Sequence, residues 1–130
     1  MSVAKKLAKK SIDEKLLKKL VPLSALGADR LRELAEKADI EHASPGRTLF
    51  KRGDTDAKTY YLLSGELTVQ LAGGQNVSIK ADTPAALHPL LDTRPRPATA
   101  VVKSSATLLV IDAGLLDILV NYDQQQNYAV

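Results

Sequence analysis

PGRTLFKRGDTDAKTYYLLSGEL, residues 45–67, is the stretch whose reading decides the fold. Its apolar runs, Leu49-Phe50, Tyr60 to Leu63 and Leu67, are cut by Pro45-Gly46, Gly53-Asp54 and Ser64-Gly65. Apolar runs this short, closed by turn-forming pairs, are the pattern of antiparallel strands. The rhythm continues downstream through Gly73-Gly74 and Ala81-Asp82. Strands are predicted at Ile40–Ala43, Arg47–Phe50, Thr59–Leu63, Glu66–Leu71, Asn76–Ile79, Ala98–Lys103 and Thr107–Ile111, with Leu67, Val69 and Leu71 alternating inward. Short strands at even spacing predict a sandwich or a jelly roll.

Helices flank this unit on both sides. Ser11-Ile12-Asp13-Glu14 has the S-x-x-E form of a capping box and predicts a helix from Ile12 to about Leu20, which Val21-Pro22-Leu23 breaks. Leu31, Leu34, Ala35 and Ala38 then recur at i, i+3, i+4 and i+7, the stripe of a helix lying on a core. At the other end Asp112 is placed to cap a helix with Leu115, Leu116, Leu119 and Val120 on its apolar face, ending near Tyr122. The organisation is therefore read as a basic arm and short helix over 1–20, the main domain over 21–123, and a polar tail over 124–130 leading to further domains of a longer parent chain.

Composition narrows the function. The chain has 130 residues, 45% of them hydrophobic and 25% charged, which suits one domain with its own core. Only 4% are aromatic and none is tryptophan, so stacking platforms for single-stranded nucleic acid are scarce. The net charge of +3 is unevenly spread: seven lysines against Asp13 and Glu14 give residues 1–20 a charge of +5, leaving −2 for the rest. Basic character confined to one arm does not make a basic groove on the fold. No run approaches the roughly 18 apolar residues of a membrane helix, and the lysine-rich start lacks a signal peptide's apolar run, so a cytoplasmic location without a membrane span is expected. With no cysteine, thiolate metal sites, disulfides and cysteine nucleophiles are excluded.

Helix, β roll, helix is also the order of the cyclic-nucleotide-binding domain, and three segments resemble that family in order and spacing. Pro22-Leu23-Ser24 with the Leu31/Leu34/Ala35 stripe is similar to its leading helix. Pro45 to Asp54 resembles its G-x-x-[IL]-F-x-x-G-D hairpin, and Tyr60-Tyr61-Leu62-Leu63-Ser64-Gly65 its Y-[FYV]-[IL]-x-x-G strand. The resemblance implies a mainly β double-stranded β-helix, a jelly roll of about eight short antiparallel strands with flanking helices. It also implies a phosphate-binding cassette, F-G-E-x-A-L-L followed by P-R-x-A-T-V. Counting back from Pro95-Arg96-Pro97-Ala98-Thr99-Ala100, the cassette falls on Ala85, Ala86, Leu87, His88, Pro89, Leu90 and Leu91. Arg96 stands at the family's phosphate-binding arginine, with Arg94 two residues earlier on the same side of the loop. A guanidinium suits that role because its planar fork makes two charge-assisted bonds to one phosphate.

The cassette departs from the family where chemistry is concerned. Leu87 stands at the glutamate that accepts from the ribose hydroxyl, and Ala86 at a glycine that admits the backbone. Pro89 and Pro97 occupy positions whose amides reach the phosphate, and proline has no N–H to give. Losing three such contacts weakens binding by about 4–6 kcal/mol, enough to turn a micromolar site millimolar. Weak or absent binding of cyclic AMP and cyclic GMP is expected, with the domain acting through a protein partner or other domains of its chain. The other reading is a sensor of a small anion held by Arg96; against it stands the plainer view of Arg96 as a surface arginine. The candidate ligand-binding residues are Ala85, Ala86, Leu87, His88, Arg94, Arg96, Ala98 and Thr99. His88 is expected to face solvent in its loop.

Enzyme readings fail on residue supply. Metal-dependent cupins share a similar roll but need clustered histidines, and here His42 and His88 lie far apart, so no metal or cofactor is expected. No P-loop, G-x-S-x-G elbow or G-x-G-x-x-G is present. About ten residues follow the final helix, too few for a helix-turn-helix, so DNA binding by this segment is not expected.

Overall fold

The computed structural model describes residues 12–128, with side-chain environments as far as Asn121. The elements in chain order are α1 (Glu14–Leu17), a 3₁₀ turn (Leu23–Ala25), α2 (Ala28–Lys37), β1 (Asp39–Ala43), β2 (Thr48–Phe50), β3 (Lys58–Gln70), β4 (Asn76–Lys80), a second 3₁₀ turn (Pro84–Leu87), β5 (Thr99–Asp112) and α3 (Ala113–Tyr128). Of the described residues, 40–110 form one compact unit and 12–39 with 111–128 another.

The helical unit follows its apolar stripes. Leu31, Leu34 and Ala35 are the buried face of α2, as their spacing predicts. α1 is shorter than expected, four residues, and is capped by Asp13, whose carboxylate accepts from the Lys15 amide. The predicted Ser11 cap lies outside the described residues. Asp112 does cap α3: its Oδ1 accepts from the Leu115 amide at 2.9 Å. Leu116 and Leu119 are that helix's buried residues, and it runs past the predicted end to Tyr128.

The β unit is a five-stranded antiparallel arrangement, ordered β1-β5-β3-β4 with β2 also on β5. The class is as expected, but the described residues form five strands where seven were placed and about eight were implied, two predicted pairs having fused. Thr59–Leu63 and Glu66–Leu71 are one strand, β3, and Ala98–Lys103 and Thr107–Ile111 are likewise β5. Ser64-Gly65, read as a turn, is a kink within β3. Gly65 has φ +92°, and a Cβ there would lie 2.3 Å from the Ser105 carbonyl oxygen and 2.7 Å from Ala106 Cα. A glycine at such a spot lets two backbones approach without ending either strand. Gly73-Gly74 does turn a hairpin: β3 and β4 pair from Gln70↔Asn76 to Glu66↔Lys80, and the Leu71 amide donates to Gln75 O at 2.8 Å. The core of this unit gathers Phe50, Tyr60, Leu62, Leu67, Ala86, Leu90, Val102 and Leu108.

Candidate functional site

The residues nominated for ligand binding lie on the segment from the second 3₁₀ turn to the start of β5. Arg96 dominates it. The side chain is buried, with 1% of the residue exposed, so the surface-arginine reading is corrected. Each of its five N–H donors has a partner inside the protein. Nε donates to Asp56 Oδ1 at 2.9 Å and Nη2 to Asp56 Oδ2 at 2.8 Å, a bidentate fork. Nη1 donates to the carbonyls of Leu90 and Leu91, both at 3.1 Å, and Nη2 also donates to the Lys58 carbonyl. Phe50 closes one face, its ring centroid 4.0 Å from the guanidinium carbon, and Tyr60 stands at 5.9 Å.

Arg94, also a candidate ligand residue, shares the cluster and is engaged within it. Its Nη1 donates to Asp92 Oδ1 at 2.9 Å, and its Nε and Nη2 to the carbonyls of Asp56 and Lys58, each at 2.6 Å. The two arginines thus grip the Asp56–Lys58 segment together. Asp92 also accepts from the Thr59 hydroxyl at 3.2 Å and lies 3.8 Å from Arg96 Nη1. Two guanidinium groups against two carboxylates make the cluster neutral, leaving no net positive charge to draw an anion. The hydrogen bond from Arg96 holds the Asp56 carboxyl down at about 2, against the opposing effect of burial.

The cassette positions are scattered around this cluster. The expected cassette helix is a single 3₁₀ turn beginning at Pro84, and His88, already extended, closes it. Pro89 therefore lies beyond the helix and not in its first turn. The turn spends amides on itself: Ala86 donates to Thr83 O and His88 to Ala85 O. Ala86 and Ala98 are buried, whereas Ala85 and His88 are exposed. Leu87 is 41% exposed and carries no polar atom toward a sugar. Thr99 does not face the cluster's donors; its hydroxyl accepts from the Arg52 amide at 3.0 Å. Among the described residues no group of three or more His, Cys, Asp or Glu could hold a metal ion, and no helix is long and apolar enough to cross a membrane. His42 sits apart, its Nδ1 3.2 Å from Thr107 Oγ1.

Sequence reasoning missed Asp56, Asp92 and the Phe50 lid. The one available signal was the second acid of Gly53-Asp54-Thr55-Asp56, since the turn itself uses only Asp54, which accepts from the Lys51 amide.

A β roll with flanking helices and a short turn beside a buried arginine defines a class of small regulatory β-roll domains. Within that class the chain belongs to the cyclic nucleotide-binding domain family, whose sequence profile matches residues 40–123. No curated protein sequence matches the chain. Among solved structures, the sensor domain of the transcriptional regulator DNR from Pseudomonas aeruginosa is similar, with a TM-score of 0.70 and 18% identity over 84% of this chain and 80% of that one. The regulatory domain of Toxoplasma gondii protein kinase A with cAMP gives 0.69 and 14% identity, covering 95% of this chain and 50% of that one. The regulatory subunit of a cAMP-independent protein kinase A from Trypanosoma cruzi, bound to guanosine, gives 0.69 and 20%, covering 82% and 38%. The chain thus spans half or less of the two kinase regulatory chains.

Proposed function

We propose that this chain is a regulatory cyclic-nucleotide-binding-like domain that does not hold cyclic AMP or cyclic GMP tightly and acts through a protein partner or neighbouring domains. The observation that carries this reading is the full internal use of Arg96. All five of its N–H donors are engaged, two of them by the Asp56 carboxylate, which stands where a phosphate's paired oxygens would have to bond. A nucleotide would have to displace Asp56 and reopen a buried ion pair, while Leu87 returns nothing to its sugar. The fold is shared by a cAMP-bound protein and one described as cAMP-independent, so the residues must decide between them.

Protein contact is supported by the loop itself. Pro84, Pro89, Pro95 and Pro97 stiffen it, and Leu87 stands exposed on it, a fixed surface in preference to a closing lid. We read the domain as non-enzymatic, free of metal and cofactor, not contacting DNA through this segment, and cytoplasmic. The alternative of an anion held by Arg96 requires the same opening of the Asp56 bridge. Isothermal titration of the full chain with cyclic AMP and cyclic GMP tests the reading: no saturable heat is expected at about 100 μM ligand, and a Kd below about 10 μM refutes it.

A further inference from the structure

A second place on the β unit has the cationic groups that Arg96 no longer offers. Lys51 and Arg52 lie in the turn after β2 and line a groove of about 580 Å³ with Gln70, Leu71, Ala72, Gly74, Asn76 and Thr99. That volume is within the range of small-molecule sites. No carboxylate lines the groove. Elsewhere in the unit Arg47, Arg94, Arg96 and Lys103 all meet an acid within 4 Å. Lys51 and Arg52 are exposed, and among the described residues their side chains have no partner.

The turn that carries them is pinned. The Lys51 amide donates to Asp54 Oδ2 and the Asp54 amide to Lys51 O, at 2.9 and 3.0 Å. The Arg52 amide donates to Thr99 Oγ1, which leaves that hydroxyl's own proton for another acceptor. Across the groove Gln70 and Asn76 are a cross-strand pair, placing two carboxamide donors side by side. Two unpaired cations on a pinned turn, a hydroxyl and two amides, with no carboxylate lining the groove, are groups that suit a phosphate monoester and the polar body it is attached to.

We propose that this groove binds a small phosphate monoester, its phosphate held by Lys51 and Arg52 and its polar body by Gln70, Asn76 and Thr99. The site also has a mechanical connection to the buried cluster. Gly53 and Asp54 exchange backbone hydrogen bonds with Arg96, Gly53 N–H to Arg96 O and Arg96 N–H to Asp54 O, both 2.8 Å. A ligand on the turn therefore loads the loop before β5 that carries Arg96 without touching its guanidinium.

The test is a titration of the ¹⁵N-labelled full chain with inorganic phosphate and with glucose 6-phosphate, at matched ionic strength, using glucose as the uncharged control. Saturable shifts are expected at the amides of Arg52, Gly53, Gly74 and Thr99, with glucose 6-phosphate binding more tightly than phosphate and glucose not binding. Lys51→Ala/Arg52→Ala should weaken binding by at least about tenfold, while Lys80→Ala/Lys103→Ala, which removes equal charge away from the groove, should leave it within about twofold. Both pairs are exposed, so an unchanged melting point verifies each fold. Absence of saturable shifts at about 10 mM, equal weakening by the two double variants, or binding of glucose itself would overturn the proposal. Shifts centred on Leu90, Leu91 and the Arg96 side chain would instead count against the proposed function as well.

Discussion

Arg96 serves as a structural residue, and its removal should damage the unliganded fold. In Arg96→Ala the carbonyls of Leu90 and Leu91 lose their donor, at about 1 kcal/mol each, while the Lys58 carbonyl keeps Arg94. The vacated space over Phe50 and the lost cation–π contact add about 1–2 kcal/mol. The total of about 3–4 kcal/mol is a large share of a small domain's stability. Arg96→Lys keeps the charge but not the fork and should cost about 2–3 kcal/mol. Asp56→Ala strands a buried guanidinium and should cost about 3 kcal/mol. Urea denaturation of the full chain followed by circular dichroism measures all three. A double-mutant cycle between Arg96→Lys and Asp56→Ala should return a coupling of about 1–2 kcal/mol. If Arg96→Lys and Asp56→Ala each cost less than about 1 kcal/mol, Arg96 is not held as described and the reasoning from its engaged donors fails.

Acid should find the same pair. Asp56 is depressed from 3.8 to about 2 on folding, so its contribution is present above pH 4 and is lost as pH falls toward 2. Unfolding free energies from urea titrations at pH 5 and pH 2.5 should differ by about 1.5 kcal/mol from this group, a component missing in Asp56→Asn. Gly65→Ala must place a methyl against the Ser105 carbonyl at a positive φ, and should destabilise by at least about 3 kcal/mol in the same assay. Asp112→Ala removes the cap of α3 and should cost about 1 kcal/mol, with helix loss visible at 222 nm.

Local pattern revealed elements well and their partners poorly. The stripe of α2 and the Gly73-Gly74 hairpin were legible because each depends on neighbours within a few residues. Strand number was not: whether Ser64-Gly65 ends a strand or kinks it depends on how closely Ser105 and Ala106 pass, forty residues away. The same limit governs the site. Arg96 could be found by its spacing from the cassette, but its burial depends on Asp56, forty positions earlier, and on Phe50. A carboxylate that satisfies an arginine leaves no signature in sequence unless the fold has already brought the two together.

The Asp56–Arg96 fork has a consequence for engineering. On the function proposed above, a glutamate grafted onto position 87 would furnish the sugar end of a pocket whose phosphate end Asp56 still occupies. A design meant to turn this domain into a nucleotide reporter must first vacate position 56 and supply new acceptors for the donors it leaves, since the arginine's carbonyl contacts would still hold the guanidinium turned inward.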